Sequence, residues 1–219
     1  YHNYRNNDIN KLQLLSEYAS ETLGYDVIRV GSLTKNTISW ERKGETNIID
    51  YSNSKYLSPK NDIDIITCCE IFINGGGGPS ALAIAAGRQI ITINHLPIRY
   101  ASREILKLWI PKLIINKETN EYLSLKNIEE LGLATTHNGN DYLEKDLKII
   151  ENSENDILNI FLDYFKIKNN KLSNEEIDLI NEYKLKRKAT ANNYANQFIS
   201  DTEDTMAPSF LKSYPNLLK

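Results

Sequence analysis

The chain is poor in cysteine: its 219 residues include two, Cys68 and Cys69, and these are adjacent. Adjacent cysteines have neither the spacing of a zinc site nor partners for a disulfide framework, so buried thiols in a reducing compartment are expected. Long apolar runs are missing as well. No stretch approaches the roughly 18 residues of a membrane-spanning helix and no signal peptide is visible, so no transmembrane segment is expected and the cytoplasm is the expected location. Positive charge is not in excess. With 26 Lys and Arg against 29 Asp and Glu, the formal net charge of −3 gives no bulk attraction to nucleic acid or to an anionic membrane. Nucleic acid is therefore not an expected partner. Methionine is absent from the first position: the chain begins at Tyr1 and enters structure almost at once, as a piece lacking its amino-terminal part would.

What is present is the material of a folded domain. At 41% hydrophobic and 25% charged residues the chain can bury a real core, and its length suits one large domain or one and a half. "NDINKLQLLSEYASETLGY" places Ile9, Leu12, Leu15, Ala19 and Leu23 at helical spacing, with Asn7 or Asp8 to cap it and Gly24 to end it. "YDVIRVG" follows as a short buried strand closed by Gly31, and "TNIIDYS" as another ending at Asp50. "NDIDIITCC" reads as a helix, "EIFIN" as a strand, "PSALAIAAG" as a helix ending at Gly87 and "RQIITIN" as a strand. Helices and strands that alternate through short turns imply a parallel sheet covered by helices on both faces, a Rossmann-like α/β fold. The spacing divides the chain into an α/β domain over residues 1–150 and a helical extension over residues 151–219. Beyond Asn94 the alternation loosens: "LWIPKLIINKETNEYLSLKNIEELGL" predicts a strand, a turn near Asn120 and a helix over about 124–131. Ser173, three residues before Glu176, forms a capping box that opens the last long helix.

In such sheets ligands bind beyond the carboxyl ends of the strands, where strand order reverses. Those ends carry Gly31, Asp50, Asn74 and Asn94, and after Asn74 come Gly75, Gly76, Gly77 and Gly78, then Pro79 and Ser80. A strand, a glycine turn and a helix start make a ready anion site, because free N–H groups point outward and missing side chains let an oxygen reach the backbone. Pro79 suits a first helical turn and Ser80 adds a hydroxyl. The stretch lacks the Gly-Lys-Ser/Thr ending of a Walker loop, and Ser80 stands where a dinucleotide fingerprint has its third glycine. A flexible turn with close helix–strand packing is the equal competitor to an anion cradle. At the amino terminus "YHNYRNNDI" offers His2, Tyr4, Arg5 and Asn6 just ahead of a helix. Arg29 ends a strand buried on both faces, so its guanidinium either reaches the rim of the sheet to meet phosphate or pairs with Asp50 or Asp26.

Five segments, "YHNYRNNDI", "GYDVIRVG", "IIDYSNSKYLSPKNDIDI", "CCEIFINGGGGPSALAIAAGRQIITINHLPIRYAS" and "LWIPKLIINKETNEYLSLKNI", occur in the order seen in a family of bacterial glycosyltransferases from surface-polysaccharide gene clusters. The chain resembles that family over residues 1 to about 130. The resemblance implies a two-domain GT-B architecture of which this chain is the carboxyl-terminal, nucleotide-sugar half. Its partners would be a nucleotide sugar, a glycan or lipid-linked acceptor and a missing amino-terminal domain, at the inner face of the membrane. It further implies that Arg5, with Asn6, opens the donor domain, that Arg29 and Gly31 end its first strand, that Asp50-Tyr51-Ser52 end its second, and that the glycine loop lies against the donor diphosphate. There are departures: "ALAIAAG" carries no acid to hold the ribose hydroxyls, leaving Asp50 or Asp62 for that task, and "NDIDI" lacks the phenylalanine expected near Asp62.

In glycosyl transfer the departing diphosphate gains negative charge, which preset positive donors stabilise. Asp62 and Asp64 lie on one predicted helix where their side chains diverge. Arginines and backbone N–H groups are therefore expected to do this without a metal or other cofactor. No catalytic base is named. His2 is near the predicted site, His95 follows a strand end where it either contacts donor or caps a loop, and His137 reads as a turn residue. A non-catalytic nucleotide-sugar-binding module and a sugar-nucleotide epimerase are the alternatives to a transferase. The apolar residues Met206, Phe210, Leu211, Tyr214, Leu217 and Leu218 are expected to dock on the missing half, and in this chain to be loosely held or packed against a neighbouring chain.

Overall fold

The computed structural model of the chain describes residues 3–31, 37–40, 47–99, 108–193 and 204–219. Asp8 accepts a hydrogen bond from the Asn10 N–H and starts a 3-10 turn, Ile9–Leu12, that runs into α1, Gln13–Glu21. Gly24, at φ 71°, turns the chain away. β1, Val27–Ile28, pairs in parallel with β2, Ile48–Ile49. Ser58 caps α2, Pro59–Cys68, which leads to β3, Ile71–Asn74. The glycine loop then enters α3, Pro79–Ala85, followed by β4, Gln89–His95.

β3 and β4 continue through β5, Leu108–Pro111, into a four-stranded parallel sheet ordered β3-β4-β5-β8, where β8 is Thr205–Met206. Helices flank this sheet, so the protein is a mixed α/β fold of Rossmann-like form. From Ile90 to His95 every residue of β4 is buried, as is all of β5; β5 is apolar throughout, and this stretch of β4 is apolar apart from Thr92, Asn94 and His95. Successive strands of the sheet are neighbours without reversal; the β1–β2 pair stands apart from it.

The stretch expected as one strand after Leu108 is two. β6, Leu113–Asn116, leaves the parallel sheet after Lys112 and pairs antiparallel with β7, Leu147–Ile150, a strand the sequence pattern did not reveal. Asn120, at φ 56°, makes the expected turn, and Ser124 with Asn127 boxes the start of α4, Leu125–Glu130. The "THNGND" turn leads into the short α5, Asn140–Glu144. Ser153 and Asp156 box α6, Glu154–Lys168, and Ser173 and Glu176 exchange the predicted bonds at the start of α7, Asn174–Asn193.

Two expectations are corrected. The cysteines are not a buried pair: both are free, Cys68 is exposed and Cys69 half-buried. α2 turns Ile66 into the core. Cys68, two residues on and therefore about 200° around the helix, faces outward. The tail is not loose. Met206 extends the sheet beside Trp109 of β5, and α8, Pro208–Ser213, with the turn Pro215–Leu218 buries Phe210, Leu211, Leu217 and Leu218. The open edge of β5 supplies the reason, since an unpaired strand edge in a largely apolar sheet requires cover. One hydrophobic cluster runs from Tyr4 and Leu15 through Ile91 and Trp109 to Phe161 and Leu218, so residues beyond 150 share a core with those before it.

Candidate functional site

The carboxyl ends of β3, β4 and β5 open toward the amino-terminal residues. Arg5 closes a 3-10 turn, Asn3–Arg5, and donates from Nη2 to the Gly76 carbonyl at 2.7 Å. Lys112, at the end of β5, is buried and donates Nζ to the Asn6 carbonyl at 2.5 Å, with Glu151 at 3.5 Å. Burial lowers the Lys112 pKa, against the pull of Glu151. These bonds seat residues 4–8 across the strand ends, so Arg5 lies at the glycine loop.

The loop itself is built around two demands. The Asn74 side chain accepts the Gly76 N–H at 2.6 Å and holds a tight turn, in which Gly76 takes φ 80°. That conformation disfavours any side chain. A Cβ on Gly75 would fall 1.8 Å from the Asn7 amide nitrogen, so Asn7 would have to move. Gly77 and Gly78 are different: a Cβ on Gly77 meets Pro79 at 3.8 Å and one on Gly78 meets nothing within 4 Å. Neither turn geometry nor packing therefore requires glycine at those two positions. Their N–H groups donate to no acceptor among the described residues. Pro79 opens α3, and the Ser80 hydroxyl donates back to the Gly77 carbonyl at 2.5 Å, so it braces the loop.

His95 closes the other side. The β4–β5 register shifts between Thr92 and His95, where Asn94 adopts φ 53°. Reciprocal 2.6 Å bonds between Asn94 and Asn152 hold that irregularity. His95 is 1% exposed, and the space over Gly76 abuts it: a Cβ there would lie 3.1 Å from Nδ1 and 3.6 Å from Arg5 Nη2. Neither ring nitrogen has a hydrogen-bond partner among the described residues. Burial, followed by the charges of Arg5 and Arg187, drives the His95 pKa down to about 3, against the opposing pull of the Pro97 backbone. The ring packs edge-on against Trp109 at 5.7 Å. Trp109 belongs to a buried network the sequence reading missed, in which Trp109 and Tyr183 both donate to Asp204 at 3.1 Å. Arg187 of α7 donates to the Tyr183 oxygen at 2.8 Å, pairs with Asp204 at 3.4 Å and lies 5.4 Å from the Trp109 ring centre. In the sequence Arg187 sits inside a Lys/Arg run that reads as a solvated helix face; nothing there marks it as reaching the sheet.

Other expected site residues gather elsewhere. Arg29 pairs with Asp50 at 3.1 Å, and Asp50, 3% exposed, also accepts from Ser52, Asn53 and the Ile38 N–H. Burial pushes the Asp50 pKa up, but those bonds and Arg29 outweigh it and hold the carboxyl below its usual range. Tyr51 is buried and exchanges hydrogen bonds with the Ser58 backbone, which secures the start of α2. Gly31 ends the segment after β1 at φ 146°. The second strand end is thus a knot of satisfied bonds. Asp62 and Asp64 both lie on α2. His2 lies outside the described residues.

A cavity of about 630 Å³ lies between β1 and β3 and is lined chiefly by apolar side chains such as Leu15, Val27, Ile66 and Phe72. The glycine loop, Arg5 and His95 take no part in it. Among the described residues no helix is long and apolar enough to cross a membrane, and no cluster of three or more His, Cys, Asp or Glu side chains is placed to hold a metal ion. Comparison with protein-family models, curated proteins and solved structures finds no match for this chain.

Proposed function

We propose that the chain binds a nucleotide sugar through its diphosphate at the glycine loop, and that it is the donor half of a glycosyltransferase. One observation carries the reading: Gly77 and Gly78 have open space and unspent N–H groups, beside an arginine that makes no ion pair among the described residues. Unbonded backbone N–H groups beside a guanidinium favour an anion, and the open approach to the backbone suits phosphate oxygens. Arg5 and the loop N–H groups are aimed before reaction at the place where the leaving diphosphate gains charge, which lowers the barrier to its departure. The Arg29–Asp50 pair supports the site indirectly by fixing the neighbouring strand end. The acceptor and the general base belong to the partner domain that the family resemblance implies.

Thermal denaturation with a panel of nucleotide sugars and nucleoside diphosphates tests this. A bound member at 100 times its dissociation constant stabilises the fold by about 2.7 kcal/mol. Gly77→Val should abolish that gain without lowering the unliganded melting temperature. A panel without effect at millimolar concentration contradicts the proposal.

A further inference from the structure

His95 is surrounded on every side, and the groups around it leave its ring unfinished. The glycine loop faces it from β3, Arg5 from the amino-terminal turn, Trp109 from β5 and Arg187 from α7, with Asp204 behind Arg187. Two cations act on the ring, and the carboxylate of this group, Asp204, is bonded to Trp109, Tyr183 and Arg187. A buried imidazole with neither nitrogen bonded is costly, and structures keep such groups where a ligand or water completes them.

We infer, on the basis of the diphosphate reading above, that His95 is itself a phosphate ligand of the glycine loop and that it takes up one proton from solvent when the phosphate binds. A phosphate seated over Gly77 and Gly78 and against Arg5 comes near Nδ1, which lies 3.1 Å from the position a Gly76 Cβ would take. In the free protein burial and two guanidinium groups keep the ring neutral. The anion reverses both influences: it offsets the positive field and accepts a hydrogen bond from the ring, and each effect favours the charged imidazole. By linkage, phosphate then binds more tightly as pH falls, by up to about tenfold per pH unit while uptake is complete. His95 would thus add a positive charge only when a ligand is present. The unliganded site would be spared a third positive charge beside the two half-buried guanidinium groups.

Calorimetry with inorganic pyrophosphate near pH 6, in two buffers of different ionisation heat, measures the protons taken up by the wild-type chain and by His95→Gln. Titration of the ligand is common to both proteins and cancels in the difference. The wild type should take up about one proton more than the variant, and His95→Gln should bind at least roughly tenfold more weakly. The ¹⁵N signals of the His95 ring in the wild type give a second readout that needs no variant: they should move from the neutral to the imidazolium pattern at saturation. Pyrophosphate that binds while the ring stays neutral overturns the inference alone. Pyrophosphate that fails to bind at about 10 mM overturns the diphosphate reading and this inference with it.

Discussion

Acid should destabilise this protein through His95. The folded ring has its pKa lowered to about 3, whereas an unfolded imidazole titrates near 6.5. A depressed folded pKa means that the unfolded chain binds more protons, so the contribution is fully present above pH 6.5 and is lost as pH falls toward 3. At pH 5 the unfolded ring is about 97% protonated and the folded ring about 1%. Integrated from pH 7 to pH 5, the difference amounts to about 2 kcal/mol. Urea unfolding of the wild type and of His95→Gln at both pH values isolates the term, because carboxylates such as Asp50 titrate alike in the two proteins. The wild type should lose about 2 kcal/mol more than the variant over that interval. Parallel losses would show that His95 is already bonded or solvated in the folded protein, and the reasoning about its environment would fail.

Three further outcomes follow from the geometry. Gly76→Val should cost at least about 1 kcal/mol because of its positive φ, whereas Gly77→Val should leave stability within about 0.5 kcal/mol; chemical denaturation separates them. Asp50→Ala removes a shared buried acceptor from the half-buried Arg29 guanidinium and from three other donors, so a loss of about 3 kcal/mol is expected in the same experiment. Phe210→Ala should cost about 3–5 kcal/mol. Amides of residues 206–218 should also resist hydrogen exchange nearly as well as those of β4, and fast exchange there would mean that the tail is not part of the core.

The alternation of β1 through β4 with α1 to α3 was legible because most elements have their own period and boundary signal: Asp8, Gly24 and the glycines after Asn74 mark boundaries directly. Arg5 and the glycine loop could be singled out as a candidate site, but the four glycines alone fit a flexible turn as well as an anion cradle. What failed depends on distance along the chain. Whether Arg29 meets phosphate or Asp50 turns on a contact across 21 residues, and both readings fit the same local sequence. The tail looked unpartnered because its partner, the edge of β5, lies about a hundred residues away. β7 is short, with Lys148 among its four residues, and its pairing with β6 gives no local period. His95 was visible as a strand-end histidine, but its unbonded nitrogens emerge only once Arg5, Trp109 and Arg187 converge on it.

In the proposed function the glycine loop holds the diphosphate of a nucleotide sugar. Amide-resolved NMR titration with UDP, GDP, CDP, ADP and dTDP tests it most directly, because it reports where a ligand sits as well as whether it binds. At least one of these should produce saturable shifts concentrated on Gly75 to Ser80 and on Arg5, and those shifts should vanish in Gly77→Val. Shifts confined to the cavity between β1 and β3, or no saturable shift at millimolar concentration, would contradict it.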